Sequence, residues 1–301
     1  MITLKTADNA LRDVYLGVLS NQLDNSDGFI SMIEKTTKDV WGKEILVPYL
    51  VKEDEDTYIK YTLKEELANI YGYIEISDKA IKVAQNSAGA FVDLLNSEME
   101  SLLKETNNHI INAIYGEDKK PKYYPKKKKY ESLMLNGLKE IFDTEKETLY
   151  GVDRKKYNFN PMVKKMKEFN LPELEEIIDN HINDIKFLIC SPQTKRIISQ
   201  YMIDNKQNIL RKELPDRHYY MQLNDNVVIQ TYKGMSDNEI WLVDSNDFKF
   251  HQLCDWRWLE DENGNILKQV NGLPFYKATL VKYGNLMCHN VNGQIKIVLG
   301  E

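Results

Sequence analysis

Between Ser87 and Tyr115 the apolar residues Phe91, Leu94, Leu95, Met99, Leu102, Leu103, Ile110 and Ile114 recur every three or four positions, with no intervening proline. That spacing places them on one stripe of a helix, with Ser87 as its N-cap and Gly116 as a left-handed C-cap. At 1.5 Å per residue the helix is roughly 40 Å long, and a stripe of that length needs a sheet or a second helix beside it. It is read as the strut of the molecule. Ahead of it, Asp8 caps a helix with a stripe of Leu11, Tyr15, Val18, Leu19 and Leu23, broken by Asn25, Ser26, Asp27 and Gly28. Lys43 to Val51 and Asn69 to Ile76 read as strands, the second alternating between Ile70, Gly72, Ile74, Ile76 and Tyr71, Tyr73, Glu75. The polar stretch KEDEDTYIKYTLKEELA between them predicts an extended hairpin reaching away from the body.

After the long helix, Leu138 to Tyr150 and Leu171 to Ile185 read as helical, the latter with Pro172 at its start. Phe187 to Cys190 reads as a buried strand and Gln193 to Met202 as a helix. Val227 to Tyr232 and Ile240 to Val243 add two strands, which makes an α+β or α/β lobe. From Phe248 onward the texture is hairpins, punctuated by Asn263-Gly264, Asn271-Gly272 and Asn292-Gly293.

The 301 residues, 42% hydrophobic and 29% charged, suffice for one elaborate domain or two. The longest apolar run, Ile45 to Val51, is too short to span a bilayer, and the N-terminus lacks the pattern of a signal peptide. Three scattered cysteines fit a reducing compartment, which points to the cytosol that made the chain. A net charge of −6 argues against a surface devoted to nucleic acid. Charge is nevertheless concentrated twice: in the acidic tetrad Glu53, Asp54, Glu55 and Asp56, and in residues 119–130, which hold seven lysines, among them Lys126, Lys127, Lys128 and Lys129, and no acid. The tetrad lacks the spaced oxygens and the glycine of a calcium loop, so solubility or contact with a basic neighbour is the expectation.

Sequence signatures of chemistry are missing: there is no phosphate loop, GxSxG, HExxH or CxxC. His251, Cys254, Cys288 and His289 come nearest to a zinc set. On a regular strand His251 and Cys254 point to opposite faces, and adjacent Cys288 and His289 rarely bind one ion. Buried thiols and ordinary histidines are expected instead. Phe248, Phe250, Trp256 and Trp258 share one face of a strand and read as core rather than as a base-stacking platform. His109 and His181 are assigned no catalytic role, and no cofactor is expected.

Three segments together resemble the major capsid proteins of tailed bacteriophages, with their HK-97-type fold. They are the helix opening Gly89-Ala90-Phe91-Val92 with Ser97-Glu98-Met99, the stretch LKEIFDTEKETLYGVDR at 138–154, and the block WLVDSNDFKFHQLCDWRWLEDENGNILKQVNGLPFYKATLVKYGNL at 241–286. The resemblance implies an N-terminal arm (residues 1–42), an extended β-hairpin loop (43–76), a peripheral domain (77–129 and 248–301) holding the spine helix 87–115, and an inserted α/β axial domain (130–247). It implies a structural, non-enzymatic subunit that assembles as pentamers and hexamers into an icosahedral shell around packaged DNA, bound without sequence preference. Such a protein is found in the virion, is assembled in the host cytoplasm, and has no membrane partner. A portal and a decoration protein are further implied partners. Because the arm begins almost at Met1, a separate scaffolding protein is expected. The tetrad at 53–56 would lie on a neighbouring subunit and meet Lys126 to Lys129 there. An encapsulin-like compartment is the alternative reading, and a DNA-binding module resting on the lysine run is the third.

Overall fold

The structure is a computed structural model that describes residues 4–52, 58–84, 87–116, 135–181, 184–223 and 226–300. The chain opens with α1 (Leu4–Ala10), one π-helical turn over Leu11–Tyr15, and α2 (Leu16–Asp24). Asp27, whose carboxylate accepts from the Ile30 amide, then caps α3 (Gly28–Met32). Short strands β1 (Glu34–Thr36) and β2 (Val40–Trp41) lead into β3 (Glu44–Lys52), β4 (Tyr58–Glu66) and β5 (Ala68–Ser77). The hairpin is therefore β3 with β4, paired antiparallel from Glu44↔Glu66 outward. The second strand expected in it, 69–76, belongs to a different sheet. Its buried residues Ile70, Ile74 and Ile76 alternate, and such a face needs a core to cover it.

After α4 (Asp78–Ala84) comes α5 (Ala88–Tyr115), 28 residues with Ser87 accepting from the Ala90 amide and Gly116 in the left-handed region at φ 91°. Phe91, Leu95, Met99, Leu102, Thr106, Ile110 and Ile114 form its buried stripe. The stripe rests on β5, where Gly72 permits the approach: a Cβ at that position would lie 2.1 Å from Thr106 Oγ1 and 2.5 Å from Leu102 Cδ1.

Then follow α6 (Leu138–Phe142), the small hairpin β6 (Thr148–Leu149) with β7 (Val152–Asp153), and β8 (Met162–Met166). Next come α7 (Leu171–Asp179), β9 (Phe187–Cys190), α8 (Pro192–Asp204), β10 (Leu210–Glu213), β11 (Tyr219–Gln222), β12 (Val228–Thr231) and β13 (Glu239–Val243). The chain finishes with the long strands β14 (Phe248–Trp258) and β16 (Phe275–Cys288), with β15 (Lys268–Gln269) between them, and β17 (Ile295–Leu299). The helix expected over 138–150 stops at Phe142. Arg154 donates to the carbonyls of Glu140 and Ile141, which a longer helix would give to residues 144 and 145. The helix expected to reach Ile185 ends at Asp179, and Ile185 is buried beneath the sheet that follows.

Two large sheets organise the whole. In the first, β16 carries β14 and β15 on one edge and β5 on the other, and β1 extends β14. The second runs β10-β11-β12-β9-β13-β17-β8. β17 was expected among the closing hairpins. It instead crosses to the second sheet, antiparallel to β13 and parallel to β8. One face of that sheet, through Leu188, Ile229, Leu242 and Ile297, packs under α7 and α8. The other, through Phe187, Ile189, Val228 and Val243, joins the main core shared with α5 and the first sheet.

Candidate assembly surfaces

The β3–β4 hairpin belongs to neither large sheet and forms a three-stranded sheet with β2. Ile45, Val47 and Leu63 bury one of its faces, while Tyr49 and Tyr61 rest on Phe159 and Tyr157 at ring separations of 5.4 and 5.5 Å. The Lys64 amide donates to the Tyr150 carbonyl at 2.9 Å. Further out, Leu50 is 63% exposed, and Trp41, on the neighbouring strand β2, is 69% exposed. Glu53, Asp54, Glu55, Asp56 and Lys126, Lys127, Lys128, Lys129 lie outside the described residues.

The segment 138–160 anchors the hairpin to the body. Gly137 passes against the end of α5, where a Cβ would lie 2.3 Å from the Ala113 carbonyl oxygen. Phe142 stacks on Trp241 at 4.8 Å. Tyr150 and Gly151 turn the β6–β7 hairpin at φ 52° and 77°, and the Tyr150 hydroxyl accepts from the Cys288 amide at 3.1 Å. Arg154 is fully buried, its Nε donating to Asn160 Oδ1 at 2.8 Å while its other two nitrogens cap α6. The stretch thus joins α5, the hairpin and β16.

A second junction centres on Asp27. Its carboxylate accepts from the Ile30 amide at 2.9 Å, the Tyr115 hydroxyl at 2.7 Å and the Gln230 side chain at 2.9 Å. The cap of α3, the last residue of α5 and strand β12 thus share one buried acid. Burial pushes the Asp27 carboxyl up from its ordinary value, against those donors. Burial also drives the Tyr115 hydroxyl well above its usual range, with the Asp27 charge adding to it. Tyr115 stacks on Tyr232 at 4.9 Å, and Phe29 packs edge-on against Phe187 and Phe248. In the sequence Asp27 reads as a helix breaker; an Asp directly ahead of Gly28 and the apolar pair Phe29-Ile30 is the N-cap signal that marks it.

The N-terminal helices are fastened to the first sheet. Trp258 Nε1 donates to the Leu11 carbonyl at 2.9 Å, Trp256 Nε1 to Asp24 at 3.1 Å, and the Leu267 amide to Asp8 at 2.9 Å. Asp24 also pairs with Lys282 at 2.9 Å and with Lys35 at 2.6 Å. Burial alone would raise the Asp24 carboxyl, but the two ammonium groups outweigh it and hold it below the ordinary value. Phe248, Trp256 and Trp258 are buried, as the core reading expects, and Phe250 is half-buried against the same core.

The four residues weighed as a zinc set separate into two kinds. Cys288 is fully buried, and Cys254 stands at a shift of register in β14. His251 and His289 meet, with Nε2 to Nε2 at 3.0 Å, ring centres 5.2 Å apart and planes within 6°. Those values place the rings nearly coplanar and head-on, with the two nitrogens aimed at each other instead of converging on an ion. His251 Nδ1 faces the Lys38 carbonyl at 3.0 Å, which makes it the protonated nitrogen and leaves Nε2 to accept from His289. Burial and the neighbouring His251 push His289 down to about 4. Among the described residues no three His, Cys, Asp or Glu side chains gather to hold a metal, and no helix is long and apolar enough to cross a membrane. His181 Nε2 lies 2.9 Å from the Gly293 carbonyl, and His109 is largely buried on α5.

No protein-family model matches the chain, and no curated protein matches it in sequence. Solved structures do match over nearly its whole length. A chain of the cyanophage A-1(L) capsid asymmetric unit aligns at 10% identity with a TM-score of 0.60, covering 95% of this chain and 93% of the other. The SrpI encapsulin of Synechococcus elongatus aligns at 10% identity and TM-score 0.57, covering 90% and 86%. The capsid protein of a native GTA particle aligns at 9% identity and TM-score 0.54, covering 92% and 91%. Identities this low speak for fold alone, and the fold they share with this chain is the mixed α+β, HK-97-type fold of phage capsid and encapsulin subunits.

Proposed function

We propose that the chain is the major capsid subunit of a tailed phage, a structural and non-catalytic protein that closes into an icosahedral shell around double-stranded DNA. The observation that carries this is the end-to-end match to a phage capsid subunit, over 95% of this chain and 93% of the other. In this reading residues 1–42 are the arm, the β3–β4 hairpin is the extended loop, and α5 is the spine of a peripheral domain built on the β14–β16 sheet. The seven-stranded sheet with α7 and α8 is the axial domain. Two strands then change sides relative to divisions at 76 and 247: β5 goes with the peripheral sheet and β17 with the axial one. The partners are copies of the same chain in pentamers and hexamers, a separate scaffolding protein, a portal, a decoration protein, and DNA held without sequence preference. Assembly takes place in the host cytoplasm and the product is the virion. The acidic tetrad 53–56 meets Lys126 to Lys129 of a neighbour.

Electron microscopy of the purified protein, alone and co-expressed with neighbouring genes, at low and high salt, tests the reading. Closed shells or rings of five and six subunits are expected. A protein that stays monomeric under all these conditions overturns it. The encapsulin match supports a second reading, which the contents decide: DNA inside for the phage shell, a protein cargo for the compartment.

A further inference from the structure

The second sheet ends in two open strands of unlike surroundings. At one end β8 leads into α7, whose sequence LPELEEIID contains four acids and no base. Glu173, Glu176 and Asp179 are exposed there, and Glu175 is half-buried. At the other end β10, the preceding helix α8 and the turn after β10 expose Arg196, Arg211, Lys212 and Arg217, with Asp204 and Glu213 the acids among them. Among the described residues none of these four bases and none of the four α7 acids forms an ion pair. α7 lies across the face of the sheet that it shares with α8, while Arg211 and Lys212 stand on the edge strand β10, and within one chain the two charge sets remain unpaired.

Apolar side chains accompany both charge sets. Ile209, Leu210 and Tyr219 stand 40, 47 and 67% exposed at the basic end, and Met162 and Val163 of β8 stand 42 and 45% exposed. Direct pairing of the two open strands would set Lys164 and Lys165 of β8 against Arg211 and Lys212 of β10, and facing like charges oppose it. The α7 flank carries no such conflict.

Resting on the shell reading, we propose that the seven-stranded lobes of adjacent copies meet head to tail, with the α7 carboxylates of one copy against the basic β10 end of the next. Because the two patches differ, the contact is heterologous. Repeated by rotation it closes into a ring, and its charges set both register and the rejection of wrong orientations.

The test is a charge swap. Glu173→Arg with Glu176→Arg reverses one patch, and Arg211→Glu with Lys212→Glu reverses the other; all four residues are exposed, so melting by circular dichroism is expected to stay near that of the parent. Each reversed pair is expected to lower the yield of closed particles and rings about tenfold, and the chain carrying all four substitutions to recover it. Glu173→Gln with Glu176→Gln is expected to give an intermediate loss. Parent-like assembly of either reversed pair, or no recovery in the four-substitution chain, overturns the head-to-tail contact while the parent's shells keep the shell reading standing. If the parent itself never assembles, the shell reading falls and takes this contact with it.

Discussion

Asp27 shows how one residue can hold three elements. Removing its side chain orphans the Tyr115 hydroxyl and the Gln230 amide inside the core, and opens the first turn of α3. Asp27→Ala is therefore expected to cost about 3 kcal/mol, measured as a shift in urea midpoint at constant slope. The acid also has a pH signature. Burial raises its pKa in the folded state above the ordinary 3.8, so between that value and the folded one the native protein holds a proton the unfolded chain has lost. Stability from this group falls as pH rises through that window and is level above it. Asp27→Asn has no such proton, so its stability is expected to lack this component of the decline from pH 4 upward. A parent and variant with parallel stability profiles would contradict the assignment.

Among the elements, α5 and its bed were the most legible from sequence, because stripe, cap and terminal glycine all pointed the same way. The expected stripe and the buried one coincide at Phe91, Leu95, Met99, Leu102, Ile110 and Ile114. What sequence could not show was the partner: nothing local to Ala68–Ser77 says that it pairs with Phe275–Gly284, two hundred residues on. The same applies to β17, whose alternation fits either sheet, and to the His251–His289 contact, which depends on the register of β14 with β16. The short α6 was misjudged because a residue beyond it, Arg154, takes its carbonyls. Gly72 is the testable point of this layer. Gly72→Val would drive a side chain into Thr106 and Leu102, and lifting a helix this long from its sheet is expected to cost about 3 kcal/mol. Hydrogen exchange should show the loss concentrated in α5 and β5; a variant as stable as the parent would mean that the helix sits further from the sheet.

At the level of the whole molecule, the proposed placement of the acidic tetrad against a neighbour's lysines predicts a salt dependence. Replacing Glu53, Asp54, Glu55 and Asp56 by lysine is expected to slow assembly most at low ionic strength, with the difference from the parent fading between about 0.05 and 0.5 M NaCl as screening takes over. Light scattering of assembly across that range reads it, and identical rates and slopes would remove the contact. The crossing of β17 into the second sheet has a further consequence, in time and not in space. Roughly 130 residues separate the end of β8 from the start of β17. At about 5–20 residues per second, a ribosome needs about 6 to 26 s to supply the partner that β8 waits for. Throughout that interval a nascent chain carries an edge strand without β17, its neighbour in the sheet, an invitation to pair with other nascent chains. Lys164 and Lys165, side by side in that strand, are the residues that keep such a waiting edge soluble.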